Sequence, residues 1–204
     1  MVQAISQPVT FDEFIEWYPE NGDCRYELHR GSIIEMPKPK GKHSEIAGFL
    51  NGLLFLHIYQ QRLPYFLPKE CIIRAESESG YEPDGIVLDT AAVTNEPLWK
   101  SSSVITQGTS IKLVFEVVSH NWRDDYYFKL ADYEAMGIPE YWIIDYAALG
   151  GRKFIGSPKQ PTVGVYSLIE EEYQVAQFRE GDRIQSLQFP NLDLTVAQLF
   201  STVP

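Results

Sequence analysis

LVFEVVSHNWRDDYYFKLADYEAMGIPEYWIID, residues Leu113–Asp145, decides how the whole chain is read. It opens as a strand. In IKLVFEVVS, residues 111–119, β-branched and aromatic side chains are dense. Period-2 alternation sets Ile111, Leu113, Phe115 and Val117 on one face and Lys112, Val114, Glu116 and Val118 on the other. A helix follows from about Arg123 to Met136, with Asp124 as its candidate cap and Gly137 then Pro139 as its stop. PEYWIID is strand again. A strand, a helix and a second strand in this order make an α/β domain.

Upstream, YFLPKECIIRAE (65–76) and EPDGIVLD (82–89) read as further strands. Before them, Ser44 to about Gln61 is helical, with Ile46, Leu50, Leu53, Leu54 and His57 on one stripe. RYELH and SIIEM, joined at Arg30-Gly31, read as a hairpin, and PKPKGKH (37–43) as a loop. The N-terminal helix VTFDEFIEWYPE has a Thr10–Glu13 capping box and a Val9–Phe14 staple, and Pro19 with Asn21-Gly22 ends it. Downstream, VGVYSLI, YQVAQF and RIQSLQF read as an antiparallel meander closed by a short helix, TVAQLF. One domain over residues 1–204 is expected, with the helix and hairpin in 1–40 and a β appendage in 150–204.

Composition bounds the chemistry. A hydrophobic fraction of 44%, with 13% aromatic, is enough for a packed core. No apolar run approaches the roughly 18 residues that a membrane span requires. The start of the chain lacks a basic segment followed by an apolar one, so a secretory signal is not expected and a cytoplasmic protein is. Cys24 and Cys71 form no CxxC pair, which argues against a cysteine zinc site and a disulfide scaffold. The net charge of −11 argues against a broad basic surface for nucleic acid, while leaving room for a small phosphate-contacting cleft.

Glu116 is a carboxylate inside an otherwise apolar strand, and burying one is costly unless it is paired, hydrogen-bonded or bound to a cation. Asp84, after Pro83, presents the same oddity. Each alone reads as a strand-end aspartate or a satisfied buried glutamate. Together on adjacent strands they have the chemistry to chelate a hard divalent ion, since magnesium takes one or two protein carboxylates and completes its shell with water and phosphate. Lys129 has Tyr126 at i−3 and Tyr133 at i+4 on one helix face. Either it points inward with that aromatic face, toward the carboxylates, or it snorkels to solvent.

Asp84 in a Pro-Asp pair, Glu116 in a Glu-Val-Val-Ser strand, a helix with a lysine and then GIPEYWIID resemble the PD-(D/E)xK nuclease superfamily. More narrowly, RYELHRGSIIEMP, YEPDGIVL and the Leu113–Asp145 block are similar, in order, to the Uma-type family of restriction-endonuclease-like proteins. The resemblance implies a central mixed β-sheet flanked by helices and magnesium-dependent hydrolysis of DNA phosphodiesters. Carried onto this chain, it makes Asp84 and Glu116 metal ligands for Mg²⁺ (or Mn²⁺) and Lys129 the catalytic lysine. The superfamily pattern has a lysine two residues after the acid. This chain has Val118 there, and relatives are read as having moved the lysine to the next helix.

Glu27, mid-strand in RYELH, is either a third carboxylate or the exposed side of a hairpin. His43 either meets a phosphate or occupies a solvated loop with Lys38, Lys40 and Lys42. DNA is the expected partner, and a homodimer is one open expectation, because nucleases that cut both strands often pair two sites. Two rivals stand beside the endonuclease: a nuclease fold that no longer cuts and acts as a binding protein, and a hydrolase of small phosphate esters.

Overall fold

The computed structural model describes residues 8–19 and 24–202. Helix α1 (Phe11–Trp17) starts at the expected capping box, in which the Thr10 hydroxyl accepts from the Glu13 N–H and the Glu13 carboxylate from the Thr10 N–H. Asn21 and Gly22, and the segment before Pro8 that was read for a signal, lie outside the described residues. Strands β1 (Arg25–His29) and β2 (Ser32–Met36) form the hairpin. Arg30 (φ 48°) and Gly31 (φ 80°) are both left-handed, as a two-residue type I′ turn requires.

Helix α2 spans Gly41–Gln61 and so begins three residues before the expected Ser44. Pro37 and Pro39 hold the preceding residues extended, but nothing beyond Pro39 opposes helix. Lys42 and His43 therefore belong to the first turn of α2, not to a loop.

YFLPKECIIRAE divides at Pro68, which can give no ladder hydrogen bond. It forms β3 (Tyr65–Phe66) and β4 (Ile72–Glu76), in different sheets. Then come β5 (Ser79–Tyr81), β6 (Gly85–Asp89), the short α3 (Trp99–Ser102), β7 (Val104–Ile105) and β8 (Ile111–Val117). The helix expected from Arg123 has two parts: a π-helical segment, Asp124–Lys129, and α4 (Leu130–Ala135). Beyond it lie β9 (Glu140–Asp145), α5 (Arg152–Ile155), β10 (Thr162–Ile169), β11 (Glu172–Phe178) and α6 (Val196–Ser201).

The fold is mixed α/β, with two mixed sheets flanked by helices. One has the order β2-β1-β5-β4-β7 and the other β11-β10-β9-β8-β6-β3. In the second, β8 pairs parallel to β9 and antiparallel to β6. The expected meander is β9-β10-β11, continuous with this sheet. RIQSLQF is not its third strand. It buries Ile184 and Phe189, and its backbone bonds run to Leu194 and to the Glu140 carboxylate.

The core lies on both faces of the second sheet. Ile46, Leu50, Leu54 and Ile58 of α2 pack with Leu113, Phe115 and Trp142 on one face, while Val114, Val118, Tyr126, Tyr133 and Tyr141 fill the other. Ile111 joins this second group instead of the Leu113 face, because the β6–β8 register shifts between Val87 and Leu88. Helix α1 covers the first sheet through Phe11, Phe14, Leu28, Ile72 and Val104. Cys71 is buried, and the Cys24 thiol donates to Glu35.

Candidate active site

Five elements converge on one cleft of about 600 Å³. Asp84 stands just before β6, Glu116 in β8, Glu27 in β1, Asp125 and Lys129 in the π-helical segment, and His43 in the first turn of α2; all six line it. Gly85 lets β6 approach β8 closely, because a Cβ there would lie 2.1 Å from the Phe115 ring. That close approach brings Asp84 alongside Glu116. The Asp84 N–H donates to Glu116 Oε2 (3.3 Å), and the Val117 N–H donates to Asp84 Oδ2 (2.8 Å).

Lys129 is 3% exposed and points inward, so the solvent-facing alternative is not what the structure has. Its ammonium lies 2.8 Å from Glu116 Oε1, 3.0 Å from Glu27 Oε1 and 3.9 Å from Asp125 Oδ1. The π-helical segment sets Asp125 and Lys129 on the same inward side, a local form of helix that recurs at functional sites. Burial alone would lower the Lys129 pKa, but Glu116 and Glu27 outweigh it and hold the ammonium charged well above its ordinary range.

Glu27 is fully buried and does not lie on an exposed hairpin face. It accepts from Lys129 and from the Glu82 N–H (3.1 Å), and its Oε2 lies 2.7 Å from His29 Nε2. Burial would raise its pKa, yet Lys129 and His29 prevail and hold it at about 2. Glu116 goes the other way, to about 8: burial raises it, Lys129 opposes this, and the charges on Asp84 and Glu27 add to the rise. Asp125 is likewise pushed up, first by burial and then by its acidic neighbours. The cleft thus holds more carboxylates than its own cations balance.

His43 is buried beside Asp84, with Nε2 3.1 Å from Oδ2. Burial alone would depress its pKa, but the bond to Asp84 and the charges of Asp84 and Glu116 raise it. Its Nδ1 is buried with no hydrogen-bond partner among the described residues. Asp84 Oδ1 is left without a partner among the described residues. Among the described residues, no group of three His, Cys, Asp or Glu side chains stands close enough to hold a metal ion there. Val118, at the superfamily's lysine position, is packed in the core and borders the cleft.

Three groups escaped the sequence reading: Asp125, Arg25 and Asn51. Arg25 lies 3.6 Å from Glu82, and Asn51 donates from Nδ2 to the Asp84 carbonyl (3.1 Å). Asp125 had a signal, because it precedes Lys129 by four residues and so shares its helix face. Arg25 and Asn51 had none, since only the folding of β1 and α2 brings Arg25 to the cleft and Asn51 to the Asp84 carbonyl.

Residues 11–197 match the family model of Uma2, described as "Putative restriction endonuclease". The crystal structure of a "putative nuclease belonging to DUF820" from Anabaena variabilis ATCC 29413 is similar over 95% of this chain and 98% of that one. Its TM-score is 0.70 at 23% sequence identity, a likeness of fold. No curated protein matches the chain.

Proposed function

Because the chain belongs to the Uma2 family, described as "Putative restriction endonuclease", we propose that the cleft hydrolyses DNA phosphodiester bonds with Mg²⁺ (or Mn²⁺) held by Asp84 and Glu116. One observation carries this reading. A buried lysine is clamped between Glu27 and Glu116, while Glu116 and Asp84 join on adjacent strands with too much acid for the cations present. Hard carboxylate oxygens suit these ions, and a protein pair is enough where water and substrate phosphate complete the shell. When bound, the ion supplies positive charge to the phosphate oxygens and acidifies its bound water.

The chain's own residues do the remaining work. Lys129 fixes Glu116 through Oε1, and the Asp84 N–H donates to its Oε2. Glu27 anchors Lys129, with His29 as its second support. His43 and the Val117 N–H hold Asp84 through Oδ2, and Oδ1 has no partner among the described residues. The ammonium of Lys129 also adds positive potential where a phosphodiester gains negative charge. The expected setting is cytoplasmic; among the described residues no helix is long and apolar enough to cross a membrane.

Calorimetric titration of Mg²⁺ and Mn²⁺ into wild type and Glu116→Ala, with and without a short DNA duplex, tests the site. Saturable binding that the substitution abolishes is expected. Plasmid cleavage that Asp84→Ala and Glu116→Ala leave unchanged would show the assignment to be wrong. A second reading, a nuclease fold that binds without cutting, draws on the full engagement of Lys129 by two carboxylates and on the −11 charge. A stable fold with no metal binding, and a protein partner on pull-down, would favour it.

A further inference from the structure

Helix α2 buries Ile46, Leu50, Leu54 and Ile58 and turns an unusual stripe to the outside. On that stripe Phe55 is 61% exposed, Leu56 47% and Tyr59 73%, and the rings of Phe55 and Tyr59 stack on each other. Three large apolar side chains at the surface on adjacent turns call for a partner. Just N-terminal to them, on the same side, stand Gly48 and Gly52, where an added Cβ would meet nothing within 4 Å. The helix face therefore carries two projections and two hollows, each set spaced at i, i+4.

Their order is self-complementary. Gly52 and Phe55 lie equally far, in opposite directions, from the midpoint between Leu53 and Leu54. So do Gly48 and Tyr59. A two-fold axis through that level, with two copies of α2 antiparallel, sets each aromatic ring of one copy over a glycine of the other. Residues on i±4 ridges interdigitate in this way, and glycines let the backbones come close. The same axis relates the charges at the ends of the stripe. Glu45 and Arg62 are again equidistant from the midpoint, so each carboxylate meets the opposite guanidinium. Arg62 is exposed and has no ion-pair partner among the described residues, and Glu45 engages Lys42 only through Oε2.

We propose that this face of α2 is the interface of a symmetric homodimer, with a second copy of this chain as its occupant. The inference goes beyond the proposed nuclease reading and does not depend on it. One helix face is small for a stable interface, so the association is weak and concentration-dependent.

Sedimentation velocity of the full chain over a concentration series provides the test, with no substrate or metal needed. Wild type is expected to move from one chain mass toward twice that mass as concentration rises. Gly48→Gln with Gly52→Gln fills the hollows without touching the monomer's own packing and favours helix. That variant should stay monomeric with an unchanged or higher melting temperature. Glu45→Arg and Arg62→Glu should each weaken association, and the two together should restore it. Wild type that is monomeric throughout overturns the proposal. So does a dimer indifferent to the glycine changes, or a charge exchange that fails to rescue.

Discussion

Lys129 Nζ sits 2.8 Å from Glu116 Oε1, although the two residues are thirteen apart in sequence and belong to different elements. Lys129 closes the π-helical segment, Glu116 lies inside β8, and both side chains are buried. Replacing it by methionine keeps most of the volume and removes the charge that Glu27 and Glu116 share. Glu116, titrating at about 8, is mostly protonated near neutral pH, so the loss leaves Glu27 as the uncompensated buried charge, at a cost of about 3–5 kcal/mol. Lys129→Met is therefore expected to lose that much stability near neutral pH in urea denaturation and to abolish DNA cleavage. Retention of full stability would mean that the two acids do not rely on the lysine.

The opposed shifts of Glu27 and Glu116 set a pH profile for the metal-free protein. Glu116 titrates at about 8 when folded and in the ordinary carboxylate range when unfolded. Between those values the native state holds a proton that the unfolded state has released, so stability falls as pH rises, on the order of 1 kcal/mol per unit. Glu27 is depressed to about 2, so its contribution is present above the ordinary range and lost as pH falls through about 2. The melting temperature in chelator should peak near the ordinary carboxylate range and decline toward pH 8. Glu116→Gln should make the upper limb shallower, the slope that remains coming from Asp125 and His43, and leave the lower one. A melting temperature that climbs steadily from pH 5 to 8 would contradict this.

Much of this was legible because local chemistry and tertiary structure agree. The Thr10 capping box, the Arg30-Gly31 turn, the buried stripe of α2 and the alternation around Glu116 are each fixed by neighbours within a few residues. Reading failed where a distant partner decides. RIQSLQF alternates like a strand, yet Glu140 captures it by accepting from Ser186, Leu187 and Gln188, and no local pattern announces that. The Asp84–Glu116 pairing was inferable from two misplaced acids. Their link to Glu27 depends on β1 meeting β5 in the other sheet, which spacing along the chain does not encode.

Val118 stands where the superfamily pattern places a lysine and lies on the strand face of Glu116. In wild type, Val118→Lys adds a second ammonium at a core position lining the same cleft as Lys129, and a loss of stability above about 3 kcal/mol is expected. In the Lys129→Met background the same change puts the missing charge back within reach of Glu116. The double variant should then recover part of the lost stability and cleavage, a coupling visible as non-additivity. Simple addition of the two losses would show that the positions are not interchangeable.

Gly85 governs the spacing between the two acidic strands. An alanine methyl would meet the Phe115 ring at 2.1 Å and Asn51 Oδ1 at 2.7 Å, and Phe115 is fully buried with no room to withdraw. The strands must part instead, at a cost of about 1–3 kcal/mol. Asp84 is the preceding residue, so its bond to the Val117 N–H lengthens, and the Asn51 bond to its carbonyl is disturbed. Gly85→Ala should therefore lower stability in urea and weaken Mg²⁺ binding together. Trimming the obstacle with Phe115→Leu in the same chain should return part of both. If metal binding recovered without stability, the spacing of β6 and β8 would not be what positions Asp84.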